Sequence, residues 1–167
     1  STLILEDMII LDDISFRYPN TEEYVLKNTQ LRLSKGSVVG FIGETGAGKS
    51  TLIDIIMGMT IPTSGSLKVD GVILNNDNRA YWRQSIAHVS QSIFLSDESI
   101  LSFITATDDR STVNFERLNE VAKVCQLTGV VDRLDHGFDT VLGERGTKFS
   151  GGQAQRFVIA KALYKNT

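Results

Sequence analysis

One cysteine, Cys125, occurs in the 167 residues, so no disulfide can close within the chain. It sits in "VAKVCQL", on the apolar side of a predicted helix, where a free thiol packs as a small hydrophobe. No apolar run approaches the roughly 18 residues that a helical membrane span requires. The N-terminus lacks the pattern of a signal peptide, and the expected compartment is the cytoplasm. Basic residues are not in excess: 17 Lys and Arg stand against 20 Asp and Glu, for a net charge of −3. That balance excludes a broad basic field for DNA or RNA, and no nucleic-acid partner is expected. Internal repeats, low-complexity tracts and long linkers are also missing. What remains is ordinary for a soluble domain: 41% hydrophobic and 22% charged residues, in a chain long enough to bury one core.

The hydrophobic periodicity predicts an α/β chain. Residues 8–33 read as strands around a turn, with Ile14, Phe16 and Tyr18 alternating on one face before Pro19. "SVVGFI", residues 37–42, is short and apolar, the composition of a buried parallel strand. "TLIDIIMGM" comes next, with Leu52, Ile55, Ile56 and Met59 at helical spacing. "SGSLKVDGVIL" is a hairpin signal turning at Asp70-Gly71. "SIAHVSQ", residues 85–91, is a further strand candidate. Beyond it, "FERLNEVAKVCQL" places Phe115, Leu118, Val121, Ala122 and Cys125 on one helical stripe. "VVDRL" reads as a short helix. "SGGQAQRFVIAKALY" reads as a longer one, with Ser150 as its N-cap.

Between the predicted strand at 37–42 and its helix lies Gly43-Glu44-Thr45-Gly46-Ala47-Gly48-Lys49-Ser50, with Thr51 after it. It fits G-x-x-x-x-G-K-S/T, the phosphate-loop pattern. Glycines let successive backbone N–H groups converge on phosphate oxygens, and the adjoining helix adds its positive end. Lys49 supplies a mobile charge for β- and γ-phosphates. The Ser50 hydroxyl is a hard oxygen suited to Mg²⁺. Phosphate binding alone does not name a function, and no NKxD guanine-reading motif occurs. A second feature narrows the choice. Ser150-Gly151-Gly152-Gln153 opens a helix with two glycines that leave amides accessible, a second anion-binding helix tip.

Together these stretches resemble the nucleotide-binding domain of ATP-binding cassette (ABC) proteins over essentially the whole chain. "FSGGQ" matches four of the five positions of the family's Leu-Ser-Gly-Gly-Gln signature, with "QR" and "AKALY" in register. Phe149 stands for the usual Leu, and Ala154 stands where a basic residue is common. The resemblance implies a P-loop NTPase-type core sheet, an antiparallel β part near the N-terminus and a helical subdomain. Residues 1–94 would form the β/P-loop core, 95–150 the helical subdomain and 150–166 the signature helix. ATP and Mg²⁺ are the implied ligands. Tyr18 matches the aromatic that stacks on adenine; taken alone, a strand tyrosine is more often part of a core, and the cassette context reverses that. Gln91, in "VSQSIFL", matches the Q-loop glutamine that reaches the Mg²⁺ or the attacking water. "TVLGERG" resembles the X-loop of exporters, where Glu144 and Arg145 would contact transmembrane domains. Glu98 and Phe103 stand where exporters usually show Gly and Asn. His88 and His136 match no catalytic position.

In the family, the signature helix leads into a Walker B strand, a D-loop and a switch histidine. None of these occurs in the chain, so it reads as an incomplete cassette. The catalytic carboxylate is missing with them. The chain by itself is expected to bind ATP weakly, to hydrolyse it negligibly and to be marginally stable, with the edge of its P-loop strand open. In the parent protein the implied function is ATP hydrolysis driving export, at the cytoplasmic face of a membrane. Two nucleotide-binding domains would then pair head to tail. An importer subunit, or a non-transport ABC ATPase acting on nucleic acid or ribosomes, is the alternative.

Overall fold

The computed structural model describes residues 3–90, 93–143 and 149–165. They divide into two compact units, Ser1–Ile86 and Ala87–Thr167.

In the first unit, β1 (Met8–Phe16) and β2 (Leu26–Ser34) pair antiparallel, and β3 (Ser64–Val69) pairs with the other edge of β1. A short β4 (Val72–Ile73) completes the order β2-β1-β3-β4. The β3–β4 turn is Asp70-Gly71, both with positive φ, as the Asp-Gly signal predicts. The Asp70 carboxylate reaches further. It accepts the backbone N–H groups of Glu6, Asp7 and Met8 at 2.6–2.9 Å and so fixes where β1 begins. Those bonds, the one from Glu6 foremost, hold the Asp70 carboxyl below the usual carboxylate range.

β1 does not alternate uniformly. Ile9 and Leu11 are buried, Asp12 and Asp13 are both exposed, and burial resumes at Ile14 and Phe16. The extra residue is a β-bulge, which switches parity while keeping the apolar side chains on the core face. Positive φ marks its path across three strands: Asp13, Asn28 and Gly65. The Asn28 side-chain amide donates to Asp13 Oδ1 at 2.9 Å, and its backbone N–H donates to Ser15 Oγ at 3.0 Å. Helix α1 (Lys49–Ile56) contributes fully buried Ile55 to the core that Leu11, Ile14, Phe16, Leu67 and Val69 build. Met59, predicted on the same stripe, is exposed instead, because α1 ends before it. α2 (Arg79–Gln84) carries Trp82 into this core, with its indole N–H donating to Ile56 O at 2.8 Å.

Among the described residues, the strands predicted over 37–42 and 85–91 are not formed. Residues 37–42 and 85–90 have no ladder partner among the described residues. Val38 and Ile42 are fully exposed, so the apolar run 37–42 is not the buried strand its composition predicts. A parallel strand exists through the neighbours that accept and donate its hydrogen bonds. The four strands here pair only with one another.

The second unit is helical: α3 (Ile100–Thr105), α4 (Phe115–Val124), α5 (Thr128–Val131) and α6 (Gly151–Tyr164). Its core joins Ile100, Ile104, Leu118, Val121, Leu127, Leu142, Phe157 and Ala160. Cys125 is buried there as expected, and burial pushes its thiol up. Phe115, predicted on the apolar stripe, lies instead at the surface under the Arg110 guanidinium, 5.2 Å from its ring centre. α6 is held at its far end by α4. Arg117 donates to the carbonyls of Leu163 (2.7 Å) and Tyr164 (3.2 Å), in the last turn, where the i→i−4 ladder runs out.

Candidate phosphate-binding site

The loop 43–48 turns into α1 through Gly48, the N-cap, at φ 82°. A Cβ at Gly48 would sit 3.0 Å from the Val25 carbonyl oxygen and from the Leu26 side chain. Only glycine permits both that backbone conformation and that approach. Gly46 has φ 87°, and Ala47 donates its N–H to Glu44 O at 3.2 Å, so the loop is a closed turn. No side chain caps α1, and no acidic residue stands in its first turn. The helix therefore presents open amides and an uncompensated positive end.

Lys49 reaches back across this loop. Its ammonium donates to Gly43 O at 2.8 Å and to Glu44 O at 2.6 Å. A cavity of about 420 Å³ lies beside it, lined by Val25, Thr45, Gly46, Gly48, Ser50 and Thr51 together with Lys49 and Tyr18. Lys49 is the one charged side chain in that lining. A second cavity of about 330 Å³ shares Tyr18, Val25 and Gly46, and adds Thr21, Glu23, Tyr24 and Ala47. Both volumes fall in the range of small-ligand sites.

Tyr18 is the one aromatic side chain among the residues common to the two. β1 delivers it past the bulge. Its ring meets Phe16 edge to face, 5.0 Å between centres and 85° between planes. Its hydroxyl lies 2.9 Å from Thr51 Oγ1. The structure thus brings together Tyr18 and Gly43 through Thr51, all from the first unit. Val25 lines both cavities without belonging to any motif of the sequence. It is placed there by the β1–β2 connection, a contact with no local sequence signal.

The other helix tip is in the second unit. Ser150 and Gln153 form a reciprocal capping box: Ser150 Oγ accepts the Gln153 N–H at 3.3 Å, and Gln153 Oε1 accepts the Ser150 N–H at 2.9 Å. Gly151 and Gly152 are exposed, and a Cβ at either would meet nothing. Gln91, Glu144 and Arg145 lie outside the described residues.

Residues 26–167 match the family described as ABC transporter. The chain belongs to the ABC transporter family. It is 36% identical over 159 residues to "ABC transporter B family member 1" of Dictyostelium discoideum, covering 95% of this chain and 17% of that protein. It is 33% identical over 159 residues to the "ATP-dependent lipid A-core flippase" of Cupriavidus metallidurans, covering 95% and 27%. "Alpha-hemolysin translocation ATP-binding protein HlyB" of Escherichia coli O157:H7 is 35% identical over 154 residues, covering 92% and 22%. The chain thus spans about a sixth to a quarter of these relatives' lengths. Among solved structures, a bacterial Atm1-family ABC exporter with ATP bound superposes with a TM-score of 0.85 at 29% identity, covering 99% of this chain and 28% of the exporter's. The fold is that of the family's nucleotide-binding domain, with its antiparallel N-terminal sheet and its helices. Among the described residues, no helix is long and apolar enough to cross a membrane.

Proposed function

We propose that the chain is the ATP-binding part of an ATPase that drives export across a membrane. The observation that carries this reading is the loop 43–50, with open α1 amides on one side and the Lys49 ammonium on the other. In this reading the amides and Lys49 take the triphosphate, and Thr51 borders it. Tyr18, half exposed at 49%, offers a ring face to adenine. Val25 flanks both the phosphate cavity and the base cavity.

Among the described residues no cluster of His, Cys, Asp or Glu is built to hold a metal ion. The donor set instead fits Mg²⁺ arriving with the phosphates, for which Ser50 offers one hard oxygen and Gln91 is the proposed second. The bound ion would neutralise charge on the β- and γ-phosphates. Ser150, Gly151, Gly152 and Gln153 are assigned to the nucleotide of a second, head-to-tail cassette. Closure of the pair then requires ATP, and hydrolysis releases it. Glu144, Arg145 and the Q-loop region are assigned to transmembrane domains, which puts the cassette at a membrane's cytoplasmic face.

The split site is tested in the full-length protein by comparing Lys49→Ala with Ser150→Ala. Lys49→Ala abolishes nucleotide binding and turnover, whereas Ser150→Ala spares binding and impairs turnover. Equal loss of binding in both would overturn the assignment.

A further inference from the structure

Tyr18 is half exposed, yet it is anchored twice. Its ring packs in a T-shaped contact with Phe16, which is only 6% exposed and belongs to the sheet core. Its hydroxyl meets Thr51 Oγ1 at 2.9 Å, and Thr51 is also 6% exposed, in the first turn of α1. One anchor is on β1, the other on the phosphate-loop helix. An exposed tyrosine without such partners would rotate freely, and a ligand stacking on it would have to bear that ordering cost. Here the ring is already set, with part of its surface open to both cavities.

The hydroxyl pair has spare capacity. Each hydroxyl carries one donor and two acceptor positions, so one bond between them leaves Thr51 able to engage a second group. Thr51 lines the 420 Å³ cavity, so that group lies on the phosphate side. We infer that Thr51 is a positioning residue: its hydroxyl holds Tyr18 as a pre-set shelf for the base and ties that shelf to the phosphate loop. This rests on the nucleotide reading and deepens it. The affinity gained from a heteroaromatic base then depends on a hydroxyl that belongs to α1.

The tether distinguishes a nucleotide from a bare polyphosphate. Tyr18→Phe keeps a stacking ring and removes the tether. ³¹P NMR titration of the chain reads weak affinities for MgATP and for magnesium tripolyphosphate alike. Tyr18→Phe is expected to weaken MgATP roughly three- to tenfold, the scale of one net hydrogen bond, with tripolyphosphate changed less than twofold. Thr51→Val should cost less MgATP affinity when added to Tyr18→Phe than in the unaltered chain, because the tether is already gone. Thr51→Ser, which keeps the hydroxyl, should restore the MgATP affinity that Thr51→Val loses.

Unchanged MgATP affinity in Tyr18→Phe would overturn the inference. So would equal weakening of both ligands, which marks a general structural effect, or strict additivity of the two substitutions. Failure of the unaltered chain to bind MgATP at all would instead overturn the nucleotide reading, and the inference with it.

Discussion

A Cβ placed on Gly65 would lie 2.3 Å from the carbonyl oxygen of Asp13. The two residues meet where the bulge crosses from β1 to β3, and Gly65 holds φ +81° there. No side chain relieves that contact, because backbone opposes it. Gly65→Ala should therefore destabilise the first unit by at least about 2 kcal/mol. Urea denaturation would show a lowered midpoint with an unchanged slope. An unaltered midpoint would mean that the bulge is not as tight as its geometry requires.

How far the sequence carried this fold depends on the range of the interactions involved. The loop 43–48, the Asp70-Gly71 turn and the Ser150 cap were legible, because each is written in a few adjacent residues whose conformational needs are special. Residues 37–42 were not. Their composition suits a buried strand, but a strand is made by partners elsewhere, and none pairs with them among the described residues. α2 has no local signal for a related reason. "RAYWRQ" is too short for a periodic pattern, and its anchor, the Trp82 bond to Ile56 O, is a tertiary contact. In the candidate site the phosphate loop was readable from spacing. The juxtaposition of Tyr18 with Thr51 was not, since thirty-three positions separate them.

Acid should loosen the start of β1. Asp70 titrates below its unfolded value because backbone N–H groups, that of Glu6 first, bond its ionised form. A lowered folded pKa contributes stability above the unfolded value of about 4 and loses it as pH falls through the folded one. Asp70→Asn retains the turn conformation and removes the charge. The variant should be less stable than the unaltered chain at pH 7, and the gap should close below about pH 4. A gap independent of pH would assign the effect to shape rather than charge.

The reciprocal cap at Ser150 makes a local prediction. Ser150→Ala removes the acceptor of the Gln153 N–H and should cost about 1 kcal/mol. Hydrogen exchange should speed up at the Gln153 amide while the buried turn at Phe157 stays protected. Uniform acceleration along the whole helix would contradict a purely local cap.

Arg117 closes the same helix from its other end. Arg117→Ala leaves the carbonyls of Leu163 and Tyr164 without their fork and should destabilise the second unit by about 1 kcal/mol. Lysine lacks the planar fork that addresses both oxygens at once, so Arg117→Lys should recover only part of it. Full recovery by lysine, read from the thermal midpoint, would show that charge near the helix end suffices.

Nucleotide binding at the phosphate loop is the central claim, and titration of ¹⁵N-labelled chain with MgATP tests it most directly. The largest amide shifts are predicted at Gly46, Gly48, Lys49 and Ser50, with affinity lost at least about tenfold in Lys49→Ala, as expected when a charged contact to phosphate is removed. Shifts centred elsewhere, with affinity indifferent to Lys49, would contradict it.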